Sequence, residues 1–362
     1  MKYRKLGKTG TAVSELALGT MYFGEETNET DAFAILDTFT DAGGSLIDTS
    51  NVYVNGKSEE VLGRWLAARP AEVTDRLVIA TKGRFSASSD VNDSGLSRRH
   101  LQRSLEGSLK RLGLEQVDLY QLHASDMETP VEETLLFLND AVQSGKINYI
   151  GLSNFTAWQL QLMISTAKEM GLYLPVSLQP QYSLLSREIE WEIVPAALYN
   201  GIGLLPWSPL AGGFLAGKYQ RGGVPAADTR AGSNKALYQF VSGEYAESER
   251  NWATINLVNQ IAQEMGVSSA QVSLRWLAER PGVIAPICGA RTVNQLKDNL
   301  GMVNVTLSDV AMHMLDEVSK PVSGGYPYGE FGQWQRERWM QDGSPEPIPV
   351  VTAGSSHPLG NK

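Results

Sequence analysis

Residues 117–153 read VDLYQLHASDMETPVEETLLFLNDAVQSGKINYIGLS, and the reading of this stretch decides the fold. A short apolar run opens it, a helical segment fills 131–144, and a second apolar run begins at Ile147. Both runs are nearly continuous in apolar residues, as parallel strands buried on both faces require. Gly145 follows the helical segment, where a left-handed cap favours glycine. The unit is strand, helix, parallel strand.

The same alternation runs outward in both directions. Candidate strands begin near Leu16 (LALGT), Ser45 (SLIDTS), Leu77 (LVIATK), Val117, Ile147, Pro175 (PVSLQPQ), Ile202 (IGLLPWS) and Val283 (VIAPICG). Helical segments between them include 30–42, 96–112 and 157–170. In the last of these, Leu160, Met163, Ile164 and Ala167 share one face. Eight strands, each followed by a helix, are the arithmetic of an α/β (β/α)8 TIM barrel. The spacing is regular up to the seventh strand. A long loop near 208–248 then precedes helices at 251–265 and 268–279. Residues 3–17 read as an N-terminal β-hairpin placed to plug the lower end of the barrel. A helix at 308–319 leads into a C-terminal extension rich in Gly, Pro and aromatics, so the division expected is a barrel at 1–320 and a tail at 321–362.

Composition narrows the class. With 362 residues, 42% apolar and 20% charged, the chain is globular and not disordered. A net charge of −9 without any Lys/Arg-rich run speaks against nucleic acid and anionic membrane as partners. Cys288 is the single cysteine, which excludes a disulfide framework. The four histidines, His100, His123, His313 and His357, lack ligand spacing, so no metal is expected. The first residues lack the apolar core of a signal peptide, and no run reaches the ~18 apolar residues that span a bilayer. A cytoplasmic protein is the expectation, with a homo-oligomer left open.

In such a barrel the active site lies at the C-terminal strand ends. The second strand ends in Asp48, with Tyr53 shortly after; the third ends in Lys82 and the fourth in His123. Singly, each has a bland reading: a turn carboxylate, a solvated ammonium, a packed imidazole. Packing does not require four such groups at one rim. A tyrosine of pKa ~10 is a poor acid at neutral pH. Lys82 stabilises its phenolate and lowers that pKa, Asp48 keeps the lysine charged, and His123 can hydrogen-bond a carbonyl oxygen. The set can protonate a carbonyl oxygen while a nucleophile reaches the carbon, and a hydride is the leading candidate. A Schiff-base lysine would have to be neutral, which Asp48 opposes. The GGFLAGK run at 212–218 imitates a phosphate loop, but Tyr219 stands where a Ser or Thr would hold magnesium.

Asp48-Thr49-Ser50-Asn51-Val52-Tyr53, Thr81-Lys82, Leu122-His123, Gly151-Leu152-Ser153-Asn154, Gln179, Trp207-Ser208-Pro209-Leu210 and Gly289-Ala290-Arg291-Thr292 occur in order, each at a strand end. In these residues the chain resembles the aldo-keto reductase superfamily over roughly 1–320. QPQYSLLSR and WSPLAGGFLAGKY are similar to the branch holding bacterial reductases and potassium-channel β subunits. The resemblance implies a nicotinamide cofactor bound across the barrel mouth without a Rossmann domain, and no G-x-G-x-x-G follows any strand. It implies that Tyr53 is the general acid/base, tuned by Lys82 and Asp48, with His123 positioning the substrate.

The resemblance further implies that Ser153, Asn154 and Gln179 hold the carboxamide and that Trp207 stacks on the nicotinamide. Ser208, Pro209, Leu210, Ala211 and Gly212 would wrap the pyrophosphate, with Lys218 and Arg230 adding charge. Thr20, Met21 and Gly289 complete the expected cofactor wall. Arg291 opens a helix at 292–300, where anions are favoured, and reads as a ligand for the adenosine 2′-phosphate or as an exposed helix-start arginine. Gln295 and Asn299 follow on that helix and could reach the adenine. NADP(H) is therefore preferred to NAD(H). Tyr22 and Phe85 join Tyr53 and His123 as substrate contacts. Tyr326, Tyr328, Phe331 and Trp334 would wall the pocket if the tail folds back over the mouth, or pack on the barrel exterior if not. The reaction implied is interconversion of an aldehyde or ketone with its alcohol. The alternative is a nicotinamide-binding redox sensor with negligible turnover, like the channel β subunits.

Overall fold

The chain begins by pairing with itself. In the computed structural model, which describes residues 1–86, 88–227 and 229–337, β1 (Tyr3–Lys5) and β2 (Ala12–Ser14) form an antiparallel hairpin. Eight short strands follow: β3 (Ala17–Gly19), β4 (Leu46–Asp48), β5 (Val78–Gly83), β6 (Val117–Leu122), β7 (Ile147–Ser153), β8 (Ser177–Gln179), β9 (Gly203–Leu204) and β10 (Ile287–Gly289). All pair in parallel, in the order β10-β3-β4-β5-β6-β7-β8-β9. The remaining seam closes through three backbone bonds of 2.8 Å, from Leu204 N–H to the Gly282 carbonyl, Ile284 N–H to Leu204 and Ile287 N–H to Pro206. The sheet is a (β/α)8 barrel.

Strand residues two apart share a face, and this places the chemistry. Leu46, Val78, Ala80, Leu119 and Leu205 form an apolar layer with Leu6 and Val13 of the hairpin, separate from the larger core beneath the helices. The hairpin thus contributes to the packing inside the barrel, as a plug would. Two residues further along each strand stand Asp48, Lys82 and Gln121, polar and fully or almost fully buried. The step from apolar to polar within one strand face marks where packing ends and the site begins.

Expected helices recur within two or so residues of their predicted ends, as Glu29–Asp41, Arg98–Leu112, Val131–Gln143 and Ala157–Glu169. Local signals set those ends. Asn28 and Ser97 accept from backbone N–H groups as N-caps, Thr156 and Gln159 form a capping box, and Gly113 closes its helix at φ 69°.

Two expectations are corrected. The stretch read as loop, 208–248, contains the helix Ala236–Ala246 and a tight 3-10 segment, Ala211–Ala216. The helix has no capping side chain and carries Val241 and Gly243 in its interior, so its local signal is weak. The eighth strand starts at Ile287 and not at Val283, because Pro286 has no N–H to pair; Val283 makes only an isolated bridge to Leu204.

The chain divides into two units, Met1–Ser319 and Lys320–Lys362. Within the second, a helix spans Glu330–Glu337, the Phe331 and Trp334 rings stack at 6.1 Å and Arg336 lies over Tyr328. Among the described residues no helix is long and apolar enough to cross a membrane.

Candidate active site

A lysine without solvent contact must find three acceptors for its three protons. Lys82 does: Nζ donates to Asp48 Oδ2 at 2.6 Å, to the Thr49 carbonyl at 2.9 Å and to Tyr53 Oη at 3.0 Å. The other Asp48 oxygen accepts from Gln121 Nε2 and Gln179 Nε2, both at 2.9 Å, and Gln179 donates as well to Gln121 Oε1 at 3.0 Å. Burial disfavours the Lys82 ammonium, but Asp48 and then Tyr53 outweigh it, and the lysine pKa rises. The charge is retained because its partner is buried with it.

The Tyr53 phenol differs from expectation. Lys82 pulls its pKa down, but burial, with Asp48 adding to it, pushes harder, and the net direction is up. Full desolvation of the phenolate was invisible in the sequence. Tyr53 opens a 3-10 turn, Tyr53–Gly56, in which Val54 and Asn55 sit at φ 50° and 54°. A β-branched residue there is costly, of order 1–3 kcal/mol, and such strain is kept where it aims a side chain.

His123 stands opposite, its ring edge-on to Tyr53 with centroids 5.9 Å apart and to Phe85 at 4.7 Å. Burial, Lys82 and Arg84 push its pKa down to about 2, so the imidazole is neutral. Ser50 Oγ lies 3.1 Å from Nδ1 and 3.3 Å from Asn51 Oδ1; when its one proton goes to Nδ1, the ring proton sits on Nε2, which can then donate. The unfolded chain takes up a proton below pH 6.5 that native His123 refuses. Stability should therefore fall as pH drops below that value, by up to about 1.4 kcal/mol per pH unit from this residue. Urea melts between pH 5 and 7 should have a shallower pH slope in His123→Gln; an unchanged slope contradicts it.

These groups border a cavity of about 460 Å³, within the size range of cofactor sites. Asp48, Tyr53 and His123 line it, and Lys82 stands behind them. Of the expected cofactor residues, all line it except Thr20 and Ala211. Thr20 is buried behind the wall, its hydroxyl on the Asp48 carbonyl and Ser58. Ala211 is buried and its N–H is spent on the Ser208 carbonyl at 2.9 Å. Tyr22 lines the cavity, whereas Phe85 does not and packs against His123 instead.

The walls are cross-braced. Ser153 Oγ donates to the Gln179 carbonyl at 2.9 Å, Asn154 Nδ2 to the His123 carbonyl at 2.8 Å and Trp207 Nε1 to Asn154 Oδ1 at 3.1 Å.

The far end of the cavity is cationic. Arg230 lies over the Tyr22 and Tyr238 rings at 5.0 and 5.6 Å, and no carboxylate pairs with it among the described residues. Burial pushes its pKa down. Lys218 and Arg291 line the same cavity, and Tyr22 Oη is buried without a hydrogen-bond partner among the described residues. An anion with several acceptor oxygens fits such an end. Cys288 accepts from Asn299 Nδ2 at 3.1 Å, and burial pushes its thiol up to about 12, so it stays protonated.

Two contributors escaped the sequence reading. Gln121 could have been found by stepping two residues along the strand face from Leu119. Glu26 accepts from Lys235 Nζ at 2.7 Å and Tyr238 Oη at 3.0 Å and lies 3.8 Å from Arg291. It ties the first loop to the helix Ala236–Ala246, a contact across more than two hundred residues with no local signal.

Residues 15–320 match the sequence profile of the aldo/keto reductase family. An uncharacterized oxidoreductase of Bacillus subtilis, YrpG, is 38% identical over 90% of this chain and 98% of its own length. A probable voltage-gated potassium channel subunit beta of rice, Oryza sativa subsp. japonica, is 37% identical over 84% and 92%. The L-glyceraldehyde 3-phosphate reductase of Escherichia coli K12 is 35% identical over 92% and 95%. The likeness runs along nearly the whole of each relative, and the family match takes in Asp48, Tyr53, Lys82 and His123. This chain belongs to the aldo/keto reductase family, an oxidoreductase family.

Proposed function

We propose that this protein is an NADP(H)-dependent oxidoreductase that interconverts an aldehyde or ketone and the corresponding alcohol, with Tyr53 as general acid and base. One observation carries the reading: a phenol on the cavity wall is hydrogen-bonded to a fully buried lysine, itself paired at 2.6 Å with Asp48. A reduced nicotinamide supplies hydride to the carbonyl carbon when bound. As the carbon–oxygen π pair moves onto oxygen, Tyr53 gives that oxygen its proton. Lys82 steadies the phenolate left behind, which recovers a proton from water. Tyr53 holds its proton at neutral pH, and the Lys82 charge opposes the burial that makes that proton harder to release. His123 Nε2 hydrogen-bonds the carbonyl oxygen and aims it at Tyr53.

The cationic end suits the phosphates of such a dinucleotide, with Lys218 and Arg230 beside the pyrophosphate and Arg291 on the 2′-phosphate. Gln179 commits its amide protons to Asp48 and Gln121, which leaves Oε1 for the carboxamide N–H. Trp207 offers the ring face. Fluorescence titration with NADPH and NADH, then turnover across a panel of aldehydes and ketones, tests the reading; absence of binding by either nucleotide overturns it. Arg291→Ala should weaken NADPH roughly 10- to 100-fold and leave NADH nearly unchanged, since a charge-assisted phosphate contact is lost. Equal weakening of both would remove the 2′-phosphate role.

The rice relative supports a second reading, a nicotinamide-binding subunit with negligible turnover. Tight binding without turnover across the panel would favour it.

A further inference from the structure

Arg84 is the first residue beyond β5, two positions after Lys82. Its φ is 151°, in the half of backbone space that suits glycine. The segment is held there on every side. His123 N–H donates to the Gly83 carbonyl at 3.0 Å, Gly95 N–H to the Arg84 carbonyl at 2.9 Å, and Asn51 Nδ2 to the Phe85 carbonyl at 3.3 Å. The guanidinium is thereby fixed over the Phe85 ring, 4.7 Å from its centroid, and that ring lies 4.7 Å from the His123 ring. Neither Arg84 nor Phe85 lines the cavity itself; the cation stands at its border, one aromatic ring away from the His123 imidazole that does.

Apart from that ring, the cation finds no partner of opposite charge among the described residues. Its Nε is buried and meets no hydrogen-bond acceptor, and no carboxylate lies within ion-pair reach among the described residues. Asp126 feels its charge, but the Asp126 oxygens already accept from Leu96 N–H, Glu128 N–H and the Thr129 hydroxyl. A half-buried guanidinium on a strained and pinned backbone, held over a ring but with Nε unsatisfied, keeps hydrogen-bonding capacity that the described residues do not use. Its planar fork is the geometry that receives a carboxylate or a phosphate through paired N–H bonds.

We propose that Arg84 is a substrate anchor: the carbonyl compound this site takes carries an anionic group, carboxylate or phosphate, about the span of one aromatic ring from its carbonyl. Arg84 grips that group while Tyr53 and His123 hold the carbonyl oxygen. The inference rests on the reductase reading above and names its substrate class.

The test uses matched pairs with the full-length enzyme and NADPH: succinic semialdehyde against butanal for the carboxylate, and glycolaldehyde phosphate against glycolaldehyde for the phosphate. The wild type should favour the charged member of at least one pair by roughly 10- to 100-fold in kcat/KM, the range for a charge-assisted hydrogen bond. The pair with the larger ratio identifies the anion. Arg84→Gln should abolish that preference through KM, lowering kcat/KM for the charged member far more than for the neutral one, and be partly rescued by Arg84→Lys. Circular dichroism and the thermal midpoint without added anion serve as the control for folding. As a readout apart from turnover, succinate or inorganic phosphate should protect the wild type against thermal unfolding and not Arg84→Gln. Turnover of neutral and charged members at equal efficiency overturns the anchor and spares the reductase reading. An equal loss on both members in Arg84→Gln also overturns it. Failure of every aldehyde and ketone overturns the reductase reading first.

Discussion

Tyr53→Phe should lower kcat for carbonyl reduction by about 10²- to 10⁴-fold, the usual worth of a positioned general acid, and leave NADPH binding intact. The substitution removes one oxygen and keeps the ring, so the edge contact with His123 at 5.9 Å and the Lys82 ammonium at 4.7 Å from the ring centroid both survive. The loss must therefore be chemical and not a collapse of the wall. Beside Tyr53 the imidazole is neutral and Asp48 is tied to Lys82, so neither is placed to take over as the general acid. Steady-state kinetics with any aldehyde the wild type reduces would measure it, alongside an NADPH fluorescence titration. Near-wild-type kcat in Tyr53→Phe would remove Tyr53 from the mechanism.

Lys82→Met should be the more damaging change to the fold. The methionine fills much the same volume, but it leaves Asp48 as a buried carboxylate without its counter-charge, a loss of about 3–5 kcal/mol. Gln121 and Gln179 still donate to one Asp48 oxygen, while the other loses the 2.6 Å bond from Nζ. Adding Asp48→Asn removes the orphaned charge and should recover much of the stability without recovering turnover. Urea denaturation of both variants separates the structural from the catalytic role. The pH sign follows from the raised Lys82 pKa: the pair's stabilisation is complete below 10.5, the ordinary lysine value, and is lost only as pH climbs through the raised one. At pH 7 its full worth is at stake. A single variant as stable as the wild type, or a double variant no better than the single, would contradict this account.

The sequence was most legible where the physics is local. Near-continuous apolar runs, glycines after helices and capping residues such as Asn28 and Ser97 depend on neighbours a few positions away, and they located nearly every strand and helix. Pro286 delayed the last strand, and the poorly capped Ala236–Ala246 hid inside a loop, because one broke the ladder and the other lacked a local signal. The four residues Asp48, Tyr53, Lys82 and His123 were legible too, since a barrel delivers consecutive strand ends to one rim.

By itself, then, the sequence determined the barrel, the rim and the identity of the polar groups on it, since strand period and helix caps are written in neighbouring residues. Only the tertiary structure decided how those groups behave. Burial turned Tyr53 upward against the pull of Lys82 and withdrew the charge from His123, while the packing left Arg230 and Arg84 without carboxylates among the described residues and joined Glu26 to Lys235. Desolvation and charge pairing depend on which distant segments meet in space and how much water they exclude, and neither quantity is carried by any stretch of chain on its own.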